Sequence, residues 1–103
     1  MPHILIADDH AIARRGLQEI ISDAVPLADI DTAASAEELL GKVAQGHWDL
    51  VISDINMPGR SGLEILIEIN KSFPGIPVLI VSVHSEEEYA IRVIRAGGAG
   101  FFK

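Results

Sequence analysis

Short apolar runs alternate with segments of helical periodicity along this chain, and that alternation restricts the fold more than any other feature. Ile4-Leu5-Ile6-Ala7, Leu50 to Ser53 and Ile76 to Ser82 read as strands buried on both faces. Ala28 to Ala34 is a weaker strand, with Asp29 and Asp31 interleaved as suits an edge, and Ala99 to Phe102 reads as a last one. Between them, Ile12, Leu17, Ile20, Ile21 and Ala24 recur at helical spacing until Pro26 ends the segment. Ser35 caps a helix carrying Leu39, Leu40 and Val43, with Gly46 past its end. A helix from about Ser61 to Ser72 buries Leu63, Leu66 and Ile67, and Ser85 caps a fourth with Tyr89, Val93, Ile94 and Gly97. The order β-α-β-α-β-α-β-α-β, with short loops and right-handed crossovers, predicts an α/β protein. Its sheet is a flavodoxin-like doubly wound five-stranded parallel sheet of strand order 2-1-3-4-5, lacking a fifth helix.

In such a sheet ligands bind beyond the carboxyl ends of the strands, at the switch point between the first and third. The first strand ends in Asp8-Asp9, the third in Asp54 and the fourth in Ser82. Three carboxylates brought together repel one another unless a cation intervenes. Hard oxygen donors without histidine or cysteine suit Mg²⁺, and a carboxylate beside such an ion can accept a phosphoryl group. An Asp closing a strand also serves as a helix cap, Ser82 as a turn residue, and Phe101 as simple core. His10 and His84 read as loop residues rather than ligands. Gly97-Gly98-Ala99-Gly100 imitates a phosphate loop but precedes a strand, so that reading fails.

Charge narrows the function further. Fifteen acidic residues against eight basic ones give a formal −7, which disfavours gripping a nucleic-acid backbone. With 103 residues and no cysteine, the chain reads as one domain without disulfides or thiolate metal sites. No apolar run is long enough to cross a bilayer, and MPHILIADD lacks the basic start of a signal peptide, so a cytoplasmic location without membrane contact is expected.

Asp8-Asp9-His10 after the first strand, Asp54 followed by Met57-Pro58-Gly59, Ser82, and Gly100-Phe101 in the last strand resemble the receiver domain of bacterial two-component response regulators. DDHAIARRGL resembles in particular the NarL/FixJ (LuxR-type) class, and the resemblance covers the chain from its first strand to its last residue. It implies a CheY-like domain whose Asp54 accepts a phosphoryl group from a sensor histidine kinase. Asp9 would bind Mg²⁺ directly, Asp8 through water, and Asn56 through its backbone carbonyl. Ser82 would be the switch hydroxyl and Phe101 the switch aromatic, while Asn56 and His84 resemble positions that tune hydrolysis. The switch would control dimerisation or a DNA-binding output domain. No such domain lies in residues 1–103, so DNA contact would belong to residues outside them.

The resemblance breaks in one place. The family pattern Gly-aromatic-X-X-Lys reads here Gly100-Phe101-Phe102-Lys103, with lysine one place early. Either Lys103 is a displaced lysine, or it fills the second X and the family lysine would be residue 104. The usual spacing of Ser82 and Phe101 favours the second. The chain then reads as a receiver truncated at its C-terminus, with apolar surface near the first, third and fifth strands left open by the missing helix. A homodimer, a swapped dimer or another partner would cover that face. Two other functions remain to be separated from the switch: a small Mg²⁺-dependent phosphatase with an Asp nucleophile, and an unphosphorylated receiver-like interaction module.

Overall fold

A computed structural model describes residues 1–54, 56–57, 60–83 and 91–96. The elements run β1 (His3–Ala7), α1 (Ala11–Ala24), β2 (Asp29–Ala33), α2 (Ala36–Gln45), β3 (Leu50–Asp54), β4 (Asn56–Met57), β5 (Arg60–Ser61), α3 (Gly62–Ser72), β6 (Val78–Val83) and β7 (Ile91–Ala96). The main sheet has the order β2-β1-β3-β6-β7. Its first four strands are parallel, with Ile4 opposite both Ile30 and Leu50, and Asp54 opposite Val81. These four strands have the doubly wound order 2-1-3-4 expected from the sequence, whereas β7, in the fifth position, runs antiparallel.

Strand periodicity divides the core in two. Leu5, Ala7, Val51, Val78 and Ile80 pack with Leu39 and Val43 of α2 and Ile65 and Ile69 of α3. Ile4, Ile6, Ile52 and Val81 pack on the other face with Leu17 of α1. Successive strand residues point to opposite sides, so an unbroken apolar run furnishes both layers at once. The α2 terminus is built as its sequence indicates: Ser35 Oγ accepts the Glu38 N–H at 3.1 Å. Glu38 Oε1 in turn accepts the Ala34 N–H at 2.8 Å.

Several expectations are corrected. Residues 91–96 form a strand antiparallel to β6 rather than part of a helix. Ile91, Val93 and Ile94 are β-branched residues that favour a pleated surface, and the edge of β6 supplies the hydrogen-bonding partners. Among the described side chains of α3, Ile65, Leu66 and Ile69 are buried, whereas Ile67 is exposed, and Leu63 lies outside the described side chains. Ile12 is exposed and Ile20 half-exposed, leaving Leu17 as the buried residue of α1. The face expected to lie open near the first and third strands is closed at Ile4, Ile6 and Ile52, all of them buried. The expected last strand at 99–102, with Phe101 and Lys103, lies outside the described residues, as does His84. Among the described residues no helix is long and apolar enough to cross a membrane.

Candidate functional site

The pairing of β1 with β3 sets the site. Ala7 lies opposite Ser53, so each strand reaches its carboxyl end at the same level and delivers Asp8 and Asp54 side by side. Asp8 continues the alternation of Ile4 and Ile6, and Asp54 that of Ile52, which places both carboxylates toward the α1 side. Both are buried, Asp8 at 1% and Asp54 at 7% exposure. Carboxylates are rarely this inaccessible without a specific use or partner.

The turn from β1 into α1 is held by its own polar groups. Asp8 N–H donates to the Ala33 carbonyl at 3.1 Å, which prolongs the β1–β2 ladder by one residue. Asp8 Oδ1 accepts the His10 N–H at 2.8 Å, closing a tight turn that starts the helix at the next residue. Arg14, one turn into α1, donates from Nη1 to the Asp8 carbonyl at 2.8 Å. The main chain around the first carboxylate is therefore pinned from three directions.

Asp9 and His10 complete the cluster. One donor atom from each of Asp8, Asp9, His10 and Asp54 falls within 4.8 Å of the others. Asp9 Oδ1 is buried and makes no hydrogen bond among the described residues. His10 Nδ1 stands 3.1 Å from it, close enough for an ion pair if the ring is protonated, but without hydrogen-bond alignment. A buried carboxylate oxygen without a hydrogen bond is costly in an apo site and becomes a ligand when a cation is present. Three carboxylates offering hard oxygen donors fit Mg²⁺, which retains several waters and asks for few protein ligands.

Of the residues singled out in the sequence, Asp8, Asp9 and Asp54 are brought together. Asn56 lies in β4, two residues beyond Asp54, in a two-residue hairpin whose partner strand is β5. Arg60 of β5 pairs with Glu68 of α3, tying that hairpin to the helix that follows. Ser82 lies in β6, one register position past the Asp54–Val81 pair. Sequence reasoning did not find Arg14; His10 lies, as expected, in the loop before α1, and its ring also joins the acidic cluster. The signal for both was spacing: His10 adjoins the acidic pair and Arg14 follows four residues later, one helical turn on.

Comparison with known proteins agrees with this geometry. Residues 4–103 match the response regulator receiver domain family. The chain is 40% identical over 99 residues to oxygen regulatory protein NreC of Staphylococcus carnosus, covering 95% of this chain and 46% of that protein. It is 36% identical over 101 residues to response regulator GacA of Pseudomonas viridiflava, covering 98% of this chain and 47% of that one. The chain thus spans less than half the length of these relatives. Among solved structures, response regulator TrrA of Thermotoga maritima, in complex with Mg²⁺-BeF, superposes with a TM-score of 0.75 at 40% identity. That match covers 82% of this chain and 72% of TrrA. With a family match over nearly its whole length and carboxylates gathered at the strand ends, the chain belongs to the response regulator receiver domain family.

Proposed function

We propose that this domain is a phosphorylation-controlled switch in which Asp54 accepts a phosphoryl group from the phosphohistidine of a sensor kinase. The observation that carries this reading is the convergence of Asp8, Asp9 and Asp54, with a buried Asp9 oxygen lacking a hydrogen bond. In the transfer, a carboxylate oxygen of Asp54 bonds to phosphorus as the nitrogen–phosphorus bond of the donor breaks. The imidazole leaves with the electron pair, and water later returns the carboxylate and releases phosphate.

Mg²⁺, when bound, neutralises charge on the phosphoryl oxygens. Asp8, Asp9 and Asp54, with the Asn56 carbonyl, would hold it. The relative TrrA, crystallised with Mg²⁺-BeF, supports that assignment. Asp54 sits in a strand of the sheet, and a nucleophile held by paired backbone needs little reorganisation before attack. Arg14 fixes the Asp8 main chain and so the turn that carries Asp9.

The output follows from where the acceptor sits. Ser82 on the adjacent strand would bond the new phosphoryl oxygen, and Phe101 would repack in response, altering the outer edge of the sheet. That change would govern dimerisation or a DNA-binding domain elsewhere in the full-length protein. The domain acts in this reading as a signalling switch in the cytoplasm rather than as an enzyme for a separate substrate.

Incubation with acetyl phosphate and Mg²⁺, followed by intact-mass measurement, tests the proposal. One added phosphoryl group is expected, lost in Asp54→Asn and absent when Mg²⁺ is chelated. An unmodified wild-type chain would overturn it.

A further inference from the structure

We propose that His10 gives this site a nitrogen ligand, so that it binds nitrogen-preferring divalent cations such as Ni²⁺, Zn²⁺ or Co²⁺ through imidazole as well as carboxylate. The inference rests on the cation site put forward above and adds a second class of metal to it. His10 Nδ1 lies 3.3 Å from Asp8 Oδ1 and 3.1 Å from Asp9 Oδ1. Two donors bound to one octahedral ion at about 2.1 Å stand about 3.0 Å apart along an edge of the octahedron. Both separations from the ring nitrogen are thus close to that of neighbours in a single coordination shell, and the two carboxylates belong to one cluster within 4.8 Å.

The backbone makes this placement a property of the turn. His10 is the residue before α1, with extended φ and ψ of −99° and 118°. Its N–H is held by Asp8 Oδ1 at 2.8 Å, and its carbonyl accepts the Arg14 N–H at 2.9 Å. The same carboxylate that enters the cation cluster therefore fixes the residue that carries the ring. The imidazole is 73% exposed, so it can adjust its lone pair toward an ion without disturbing the core.

Ligand chemistry decides which cations profit. Mg²⁺ gains little from an imidazole, while affinity for nitrogen donors rises through Co²⁺ and Ni²⁺ along the divalent series. Carboxylates alone discriminate least among divalent cations, which leaves the abundant Mg²⁺ best placed to occupy them. Adding His10 favours the borderline metals selectively and leaves the oxygen ligands in place. Nδ1 lies within hydrogen-bond distance of Asp8 Oδ1 at 3.3 Å. It offers its lone pair to the ion in the tautomer that carries the proton on Nε2. The bond is then dative, with no redox change at either partner.

Calorimetric titration of the wild-type chain, His10→Ala and His10→Gln with Mg²⁺ and with Ni²⁺ tests the assignment. Ni²⁺ affinity is expected to fall about tenfold or more in both variants, on the scale by which ligand type separates these metals, with Mg²⁺ affinity unchanged within about twofold. As a second readout, the wild type loaded with one equivalent of Cu²⁺ should show nitrogen hyperfine coupling in its electron paramagnetic resonance spectrum. That coupling should vanish in His10→Ala and in Asp9→Asn. Equal Ni²⁺ affinities with and without His10, or nitrogen coupling that survives His10→Ala, would overturn the inference while leaving the Mg²⁺ site standing. A wild-type chain that binds neither metal would overturn both readings.

Discussion

Arg14 donates from its guanidinium to the main-chain oxygen of Asp8 at 2.8 Å, so the second turn of α1 is tied to the residue that ends β1. A charged donor to a partly buried carbonyl contributes about 1.5–3 kcal/mol. Arg14→Ala should lower stability by about that amount, and it should weaken Mg²⁺ binding because the turn carrying Asp9 loosens. Arg14→Lys should recover part of the stability and less of the metal affinity, since an ammonium cannot reproduce the planar fork. Urea denaturation and Mg²⁺ titration of the two variants check this.

Removing a charge from the carboxylate cluster should stabilise the metal-free protein. Asp8→Asn keeps an oxygen to accept the His10 N–H and relieves repulsion among three neighbouring acids. A gain of about 1–2 kcal/mol is expected for a like-charge contact of this kind at intermediate dielectric. In the wild type, Mg²⁺ at a hundred times its dissociation constant should add about 2.7 kcal/mol, and Asp8→Asn should lose most of that increment. Thermal melts with and without Mg²⁺ give both numbers.

The α2 terminus predicts a dependence on pH. Glu38 is held below the ordinary carboxyl value of 4.5, first by the Ala34 N–H and then by Lys42. An unfolded Glu38 takes up a proton more readily, so the stability it supplies is complete above pH 4.5 and drains away as pH falls through the folded value. The difference in denaturation midpoint between wild type and Glu38→Gln should therefore shrink below pH 4.5. Lys42 behaves in the opposite sense. Asp31 raises it above the ordinary 10.5, so its contribution holds below that pH and is lost as pH rises beyond the folded value. Ser35→Ala, which removes the other half of the cap, should cost about 1 kcal/mol.

Two helical isoleucines should respond very differently to truncation. Ile69 has no exposed surface, and Ile69→Ala should cost about 2–5 kcal/mol. Ile12 is 87% exposed, so Ile12→Ser should change stability by no more than about 0.5 kcal/mol. Chemical denaturation of the two variants decides it.

The candidate site was readable in the sequence because strand ends are easy to locate. An apolar run closed by an acid states both where a strand stops and what it presents there, as with Asp8 and Asp54. Ser35 was readable for a similar reason, since a cap acts within one turn of itself. Helix faces were harder. The stretch LEILIEI offers apolar residues on nearly every side, and only packing against β1, β3 and β6 selects Ile65 and Ile69 over Ile67. The segment 91–96 was misread because β-branched residues tolerate a helix but prefer a strand when a neighbouring edge is available. Arg14 was missed because its partner is a carbonyl, which every residue carries.

The position of β1 has a consequence for the order in which this molecule is made. The first of these strands to be synthesised is also a central strand, flanked by β2 on one side and β3 on the other. Its pairing with Leu50 cannot form until about half the chain has been synthesised. Closing loops of that length before any long-range contact is made slows folding. Asp8 therefore waits for Asp54, and no early fragment can present both carboxylates. Cation affinity of the intact trio should thus rise in step with completion of the sheet, which would make a bound metal a gauge of folding.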